Sequence, residues 1–336
     1  MEHMEKDMNR LNLFTSNSNE SSILKVIFKL GVFLTISLII FWKFISPQYI
    51  YQYSSSFIDK MDRLKKTNDS KIVLVGNSNL SFGIRSELIK KAFGMEVVNL
   101  GLHGGLGNEF HEEMAKVNVN SGDIIMICHT SFSDDSENVN PELEWTAIEN
   151  KFYLWTCVPA DEWYDMALAF PTYAKKCINL FLTGTGNQIP QETSYSRLAF
   201  NEYGDNIFSE THTEHFLLPQ DYVPSAPLIN DTCIERLNKL NEYVTDRGAT
   251  LLVAGYPIAY KDKKPDAQVF NSFKEELQSK LDFPVISDYR DYFYPQEYFY
   301  NTEYHLTNDA AIIRTEQLIN DLKNYLENNN ILSPKH

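Results

Sequence analysis

Ile72, Val73, Leu74 and Val75 form an unbroken apolar run that ends at Gly76. A run this short, bounded by turn residues, reads as a strand covered on both faces. Such strands belong to parallel sheets with helices on either side, which restricts the chain to an α/β fold. Comparable runs start near Glu96, Asp123, Thr250 and Pro284. Helical patterns separate them, at residues 86–93, 108–117, 233–247, 270–281 and 308–326. Ser86 is placed as an N-cap, and Gly94 and Gly248 as stops. The alternation predicts one parallel sheet of five strands in a three-layer α/β/α sandwich.

Ser78 follows the first strand within three residues. Ligands bind at the carboxyl ends of strands in open α/β sheets, and a serine there is a nucleophile if a base reaches it. The same Asn-Ser pair also suits a turn that satisfies its own backbone. The formal charge of −15 argues against a nucleic-acid partner, because phosphate binding needs basic surface. The four cysteines, at 128, 157, 177 and 233, form no C-x-x-C pair, which excludes a zinc ribbon or thioredoxin motif. Cys128 falls in an apolar strand and reads as core.

Ahead of the sheet, residues 1–22 read as a flexible polar tail and residues 23–46 as a membrane anchor. In the segment VIFKLGVFLTISLIIFWKFI, Leu30 to Trp42 is uncharged and almost all apolar, and the flanking Lys29 and Lys43 can snorkel to head groups. About twenty residues at roughly 1.5 Å each cross a hydrocarbon core of about 30 Å. Trp42 suits an interfacial anchor, and there is no A-x-A-like cleavage site. Lysines and arginines flank both ends, so the positive-inside rule does not orient the span. Residues 47–70 read as a connector and 71–330 as the main domain, with an insertion at about 134–230. Trp145, Trp155 and Trp163 in that insertion either line a sugar or acyl site or form a local core.

Gly76-Asn77-Ser78, the strand-to-glycine turn VVNLGLHGGLG at 97–107 and His305 ahead of the last helix together resemble the SGNH, or GDSL-like, hydrolases. The resemblance covers about residues 71–130 and 284–326. It implies a flavodoxin-like sheet, Ser78 as nucleophile, His305 as base and Gly104 as a backbone oxyanion donor. Three departures stand out. Asn77 replaces the usual Asp before the serine. His129-Thr130-Ser131 stands where the family has an oxyanion Asn, and Thr302 stands where it has the triad acid. A backbone carbonyl, Asn301 or Glu303 is then left to orient the imidazole.

The resemblance further implies a single-pass esterase or O-acyltransferase acting on cell-envelope polysaccharide. Its C-terminal domain would lie outside the cytoplasm, beside a multispanning acyl-carrying partner. The rival expectation is a non-catalytic binding or scaffold protein that has kept the fold. No cofactor or metal is expected. His212-x-x-His215 lacks the Glu of a zinc-protease helix, and Asp134-Asp135 reads as a solvated turn. The glycines at 101–107 do not make G-x-G-x-x-G, which weakens a nucleotide-binding reading.

Overall fold

The computed structural model describes residues 22–133, 139–210 and 216–329. Asp134, Asp135, His212 and His215 lie outside the described residues. Strands β1 (Lys71–Val75), β2 (Glu96–Asn99), β3 (Ile124–Ile127) and β4 (Thr250–Val253) form one parallel sheet in the order β2-β1-β3-β4. Every residue of β1 is buried, as a strand with both faces covered requires.

Alternation along β1 sorts the layers. Ile72 and Leu74 face a core shared with Ile89 of helix α4 (Ser86–Phe93) and with Leu318 and Leu322 of α10 (Asn308–Asn328). Val73 and Val75 face the larger core on the other side. That core holds Phe57 of α2 (Ser56–Lys66), Phe110 of α5 (Gly107–Ala115) and Leu237 of α8 (Asp231–Thr245). Phe273 of α9 (Ala267–Lys280) joins it from the sheet's β4 side.

Two details of the sheet differ from expectation. The fifth strand, expected from Pro284, is a single parallel bridge between Val285 and Val253. Pro284 has no N–H to extend a ladder, and the Ser287 hydroxyl turns away to donate to Asp321 of α10. A second parallel pair, β5 (Ile258–Tyr260) with β6 (Phe293–Pro295), was not anticipated; its strands are only three residues long.

Ser86 is the first residue of α4, and Arg85 occupies the N-cap. The cap comes from a distance: Asp205 accepts from the Ser86 backbone N–H at 2.7 Å and from its hydroxyl at 2.6 Å. Gly94 stops α4 in a left-handed conformation at φ 67°, as placed.

An N-terminal helix, α1 (Ser22–Ile45), is 24 residues long, and its apolar stretch is unburied by the rest of the chain ahead of a foot, Phe41–Ile45, that packs on the body; it is long enough to cross a membrane. Residues 47–70 belong to the folded body: Tyr49, Tyr53 and Phe57 are buried in the larger core. The insertion contributes α6 (Pro141–Ile148) and α7 (Trp163–Thr183). Its aromatics form a core with the foot of α1. Trp145 packs on Trp155, Phe170 and Tyr173 at ring separations of 5.1–5.4 Å, and Trp42 lies 5.6 Å from Trp145. The Trp145 indole N–H donates to the Met166 carbonyl at 2.8 Å. All four cysteines are free and buried.

Candidate active site

β1 runs into Gly76, where the chain passes so close to the Cys128 carbonyl that a Cβ would sit 2.9 Å from its oxygen. Asn77 then caps the short helix α3 (Ser78–Gly83), its side-chain oxygen accepting from the Asn79 N–H at 3.0 Å. The Asn77 amide donates to Thr130 Oγ1 at 2.8 Å, tying the turn after β1 to the turn after β3. Asn77 thus orients the turn that carries Ser78. Ser78 is the first residue of α3 and is partly exposed.

His305 lies in a loop pinned before α10. The Tyr300 N–H donates to the His305 carbonyl at 2.7 Å and the Thr307 N–H to the Tyr298 carbonyl at 2.9 Å. Thr307 caps α10. This loop carries the imidazole to Ser78 across 227 residues of sequence. His305 Nε2 is 2.8 Å from Ser78 Oγ, and Nδ1 is 2.7 Å from Asn301 Oδ1. Asn301 also donates from its amide nitrogen to the Tyr195 hydroxyl at 3.4 Å, which fixes which end of the amide faces the ring. Nδ1–H therefore donates to Asn301, leaving the Nε2 lone pair to accept from the Ser78 hydroxyl.

The ring is clamped as well as bonded. Phe82, one helical turn after Ser78, stacks on it at 3.9 Å and 11°. Burial pushes the His305 imidazole down to about 3, with His103 adding a smaller push in the same direction. His305 is thus neutral near neutral pH with its Nε2 lone pair on Ser78, but it is a weakened base, and the imidazolium it would form has no carboxylate against it.

Of the other expected residues, Gly104 lies against Asn77. The β1 and β2 extensions stay paired beyond the sheet, through an Asn77–Leu102 bridge. A Cβ on Gly104 would stand 3.7 Å from Asn77 Cβ. Among the described residues, neither the Ser78 nor the Gly104 backbone N–H has a hydrogen-bond acceptor. Two unengaged amides beside a serine can stabilise negative charge that develops on a bound carbonyl oxygen. Thr130 accepts from Asn77 and keeps its own O–H to donate, whereas Ser131 is occupied with Ser133 at 2.6 Å. Glu303 makes no hydrogen bond to His305 among the described residues; it lines a cavity instead. Thr302 shapes the loop, its hydroxyl accepting from the His305 and Tyr304 amides at 3.2 Å each.

Arg314 was missed. It is fully buried and donates to the Asn79 carbonyl at 2.6 Å, to Asn79 Oδ1 at 2.7 Å and to the Gly255 carbonyl at 3.3 Å. It joins α10, which follows His305, to α3, which begins at Ser78. A signal was present: Ala310, Ala311, Arg314, Leu318 and Leu322 share one helix face, so an arginine sits in an apolar stripe.

Two cavities flank the pair. One, of about 450 Å³, is lined by Tyr53, His103 and Tyr195 on the dyad side and by Gln52, Asn187 and Gln188 farther out. The other, of about 330 Å³, is lined by Thr130, Tyr256, Glu303 and Tyr304. Both fall in the size range of small-ligand sites. Among the described residues, no group of three or more His, Cys, Asp or Glu side chains is arranged to hold a metal ion. No family model matches the chain, and neither does any curated protein or solved structure.

Proposed function

We propose that this chain is a membrane-anchored SGNH-like esterase or O-acyltransferase that works on cell-envelope polysaccharide through Ser78 and His305. The observation that carries the reading is the chain of contacts Ser78–His305–Asn301 at 2.8 and 2.7 Å, beside two unengaged amides. The strand order β2-β1-β3-β4, with Val285 bridging at the β4 edge, agrees with the flavodoxin-like sheet of that superfamily.

In the reaction, His305 Nε2 takes the Ser78 proton as Oγ attacks the ester carbonyl. The Ser78 and Gly104 amides, with the Thr130 hydroxyl, hold the oxyanion. His305 then protonates the leaving alkoxide, and water or a sugar hydroxyl releases the acyl group by the reverse sequence. Asn301 keeps the ring in the productive tautomer but supplies no charge. The first cavity offers tyrosines and amides without a charged side chain, a lining suited to uncharged sugar units. With α1 across the bilayer, the domain lies on the extracytoplasmic side, where a multispanning acyl-carrying protein is the partner by analogy.

The alternative is a non-catalytic scaffold of the same modification system. It is favoured by one specific observation: His305 is held far below its usual pKa with no carboxylate to offset this. Kinetics separate the two. In assays on a p-nitrophenyl acyl ester and an O-acetylated oligosaccharide, Ser78→Ala and His305→Ala should each remove nearly all activity. The double variant should be little worse, because the residues act as a unit. Modest, additive losses would support the scaffold.

A further inference from the structure

The second cavity beside the dyad, of about 330 Å³, differs from the first in its charge. It opens between the turn after β3, the segment 222–227, the chain entering β5 and the loop before His305. Thr130, Tyr222, Ser225, Tyr256 and Tyr304 supply hydroxyl oxygens to its lining. Among the described residues, Glu303 is the one charged side chain there, and no lysine, arginine or histidine faces it from the cavity wall.

Two of these groups lack partners. The Glu303 carboxylate makes no hydrogen bond and no ion pair among the described residues. Tyr256 is 5% exposed, and its ring is held edge-on against Tyr289 at 5.8 Å. Its hydroxyl also has no hydrogen-bond partner among the described residues. Unlike the hydroxyl of Tyr289, it is not sealed in the core but opens on the cavity. The phenols and the carboxylate feel one another. Burial pushes Tyr222 up to about 12, with Tyr304 and Glu303 adding to the rise. Tyr304 is raised by burial and then by Glu303, and Tyr256 by burial and then by Tyr304 and Tyr222. The phenols therefore keep their protons near neutral pH, and the carboxylate stands among them without a counter-charge.

Such a lining calls for a cation. A neutral ligand would strip water from Glu303 and set no charge against it. One carboxylate is too small a ligand set for a metal ion held by the protein alone. A quaternary ammonium has no N–H and would leave the hydroxyls unpaired. A primary ammonium brings one positive charge and three N–H donors, which match a carboxylate and phenol oxygens.

We propose that this cavity binds a primary ammonium group of the ester that Ser78 attacks, with Glu303 as the residue that selects it. The position fits. Thr130 lines the cavity and is bonded to Asn77 beside Ser78, and Glu303 stands two residues before His305. The ammonium site itself stands on the cavity, whereas its place in the substrate rests on the reading of Ser78 as nucleophile. The amine belongs either to the acyl group, as in an aminoacyl ester, or to the alcohol, as in an amino sugar.

The test uses the full chain with Ser78→Ala in detergent micelles, so that no ester turns over, and reads binding by ligand-observed NMR. Glycinamide and glucosamine are the amines; glycolamide and glucose are their neutral counterparts. The amines should bind and the counterparts should not, and the tighter amine shows which half of the substrate carries the charge. Glu303→Gln keeps the side chain's shape and should weaken amine binding about tenfold or more, and Tyr256→Phe should weaken it a few-fold. The comparison of amine with counterpart needs neither variant, so it decides the matter even if a substitution unfolds the chain. Equal binding of amines and counterparts, no amine binding in the millimolar range, or full affinity in a folded Glu303→Gln protein would overturn the proposal. Fluorophosphonate labelling of the wild type separates this from the catalytic reading. Labelling of Ser78 without amine binding would overturn the site and leave the nucleophile. Amine binding without labelling would overturn the ammonium's place in an ester substrate.

Discussion

Asn301→Asp places a carboxylate where the neutral amide oxygen now sits, 2.7 Å from His305 Nδ1. A unit charge about 4 Å from the imidazolium, at an effective dielectric of about 20, is worth about 4 kcal/mol. That corresponds to about 3 pKa units, enough to lift His305 from about 3 toward the usual histidine range. Asn301 is partly exposed, so the new carboxylate is not deeply desolvated and much of this gain survives. The same interaction acts on the imidazolium that forms as Ser78 loses its proton, so kcat should rise, by on the order of 10²-fold. The assay is the pH dependence of kcat/KM on an activated ester, together with the imidazole proton resonances of His305. The substitution should move the acid limb upward in pH and raise the plateau. If neither the limb nor the plateau changes in a folded variant, His305 is not the base and the mechanism is wrong.

Arg314→Met removes two hydrogen bonds that join α10 to the Ser78 helix and a third to the Gly255 carbonyl, and should lower stability by about 2–4 kcal/mol, read as a shift in the urea midpoint. At low denaturant its kcat should fall while KM changes little, since Arg314 positions Ser78 without lining either cavity. The His305 pKa is depressed in the fold, so between pH 3 and about 6.5 the unfolded chain binds the extra proton and this residue's contribution to stability falls as pH falls. Burial of Glu109 and Glu149 raises both carboxyls to about 7, which acts in the opposite sense, so the comparison must be differential. From pH 7 to pH 4 the wild type should lose stability relative to His305→Gln; parallel curves would contradict the depressed pKa.

What was legible in the sequence follows from how local each signal is. β1 to β4 were visible because each is a short apolar run whose burial is written into its own residues. The fifth strand failed because its pairing depends on Pro284 and on the pull of Asp321, neither of which shows in the run itself. Ser86 was misplaced by one position because its cap, Asp205, is more than a hundred residues away. Ser78, His305 and Gly104 were singled out by the resemblance, and the fold brings the Ser78 hydroxyl and the His305 imidazole to 2.8 Å. Asn301 stayed one of three alternatives because only the folded loop decides which oxygen meets Nδ1. Phe82, Tyr195 and Arg314 carry no motif; their roles are contacts made across the fold. The tryptophans of the insertion were ambiguous for a related reason, since their partner, Trp42, belongs to the anchor helix.

The central claim is that Ser78 is a nucleophile made reactive by His305. Incubation of the full chain with a fluorophosphonate, followed by peptide mass mapping, tests it without knowledge of the natural substrate. The account predicts one phosphonylated residue, Ser78, with labelling absent in Ser78→Ala and strongly slowed in His305→Ala. A folded wild-type protein that stays unlabelled, or labelling at another residue that persists in Ser78→Ala, would contradict it.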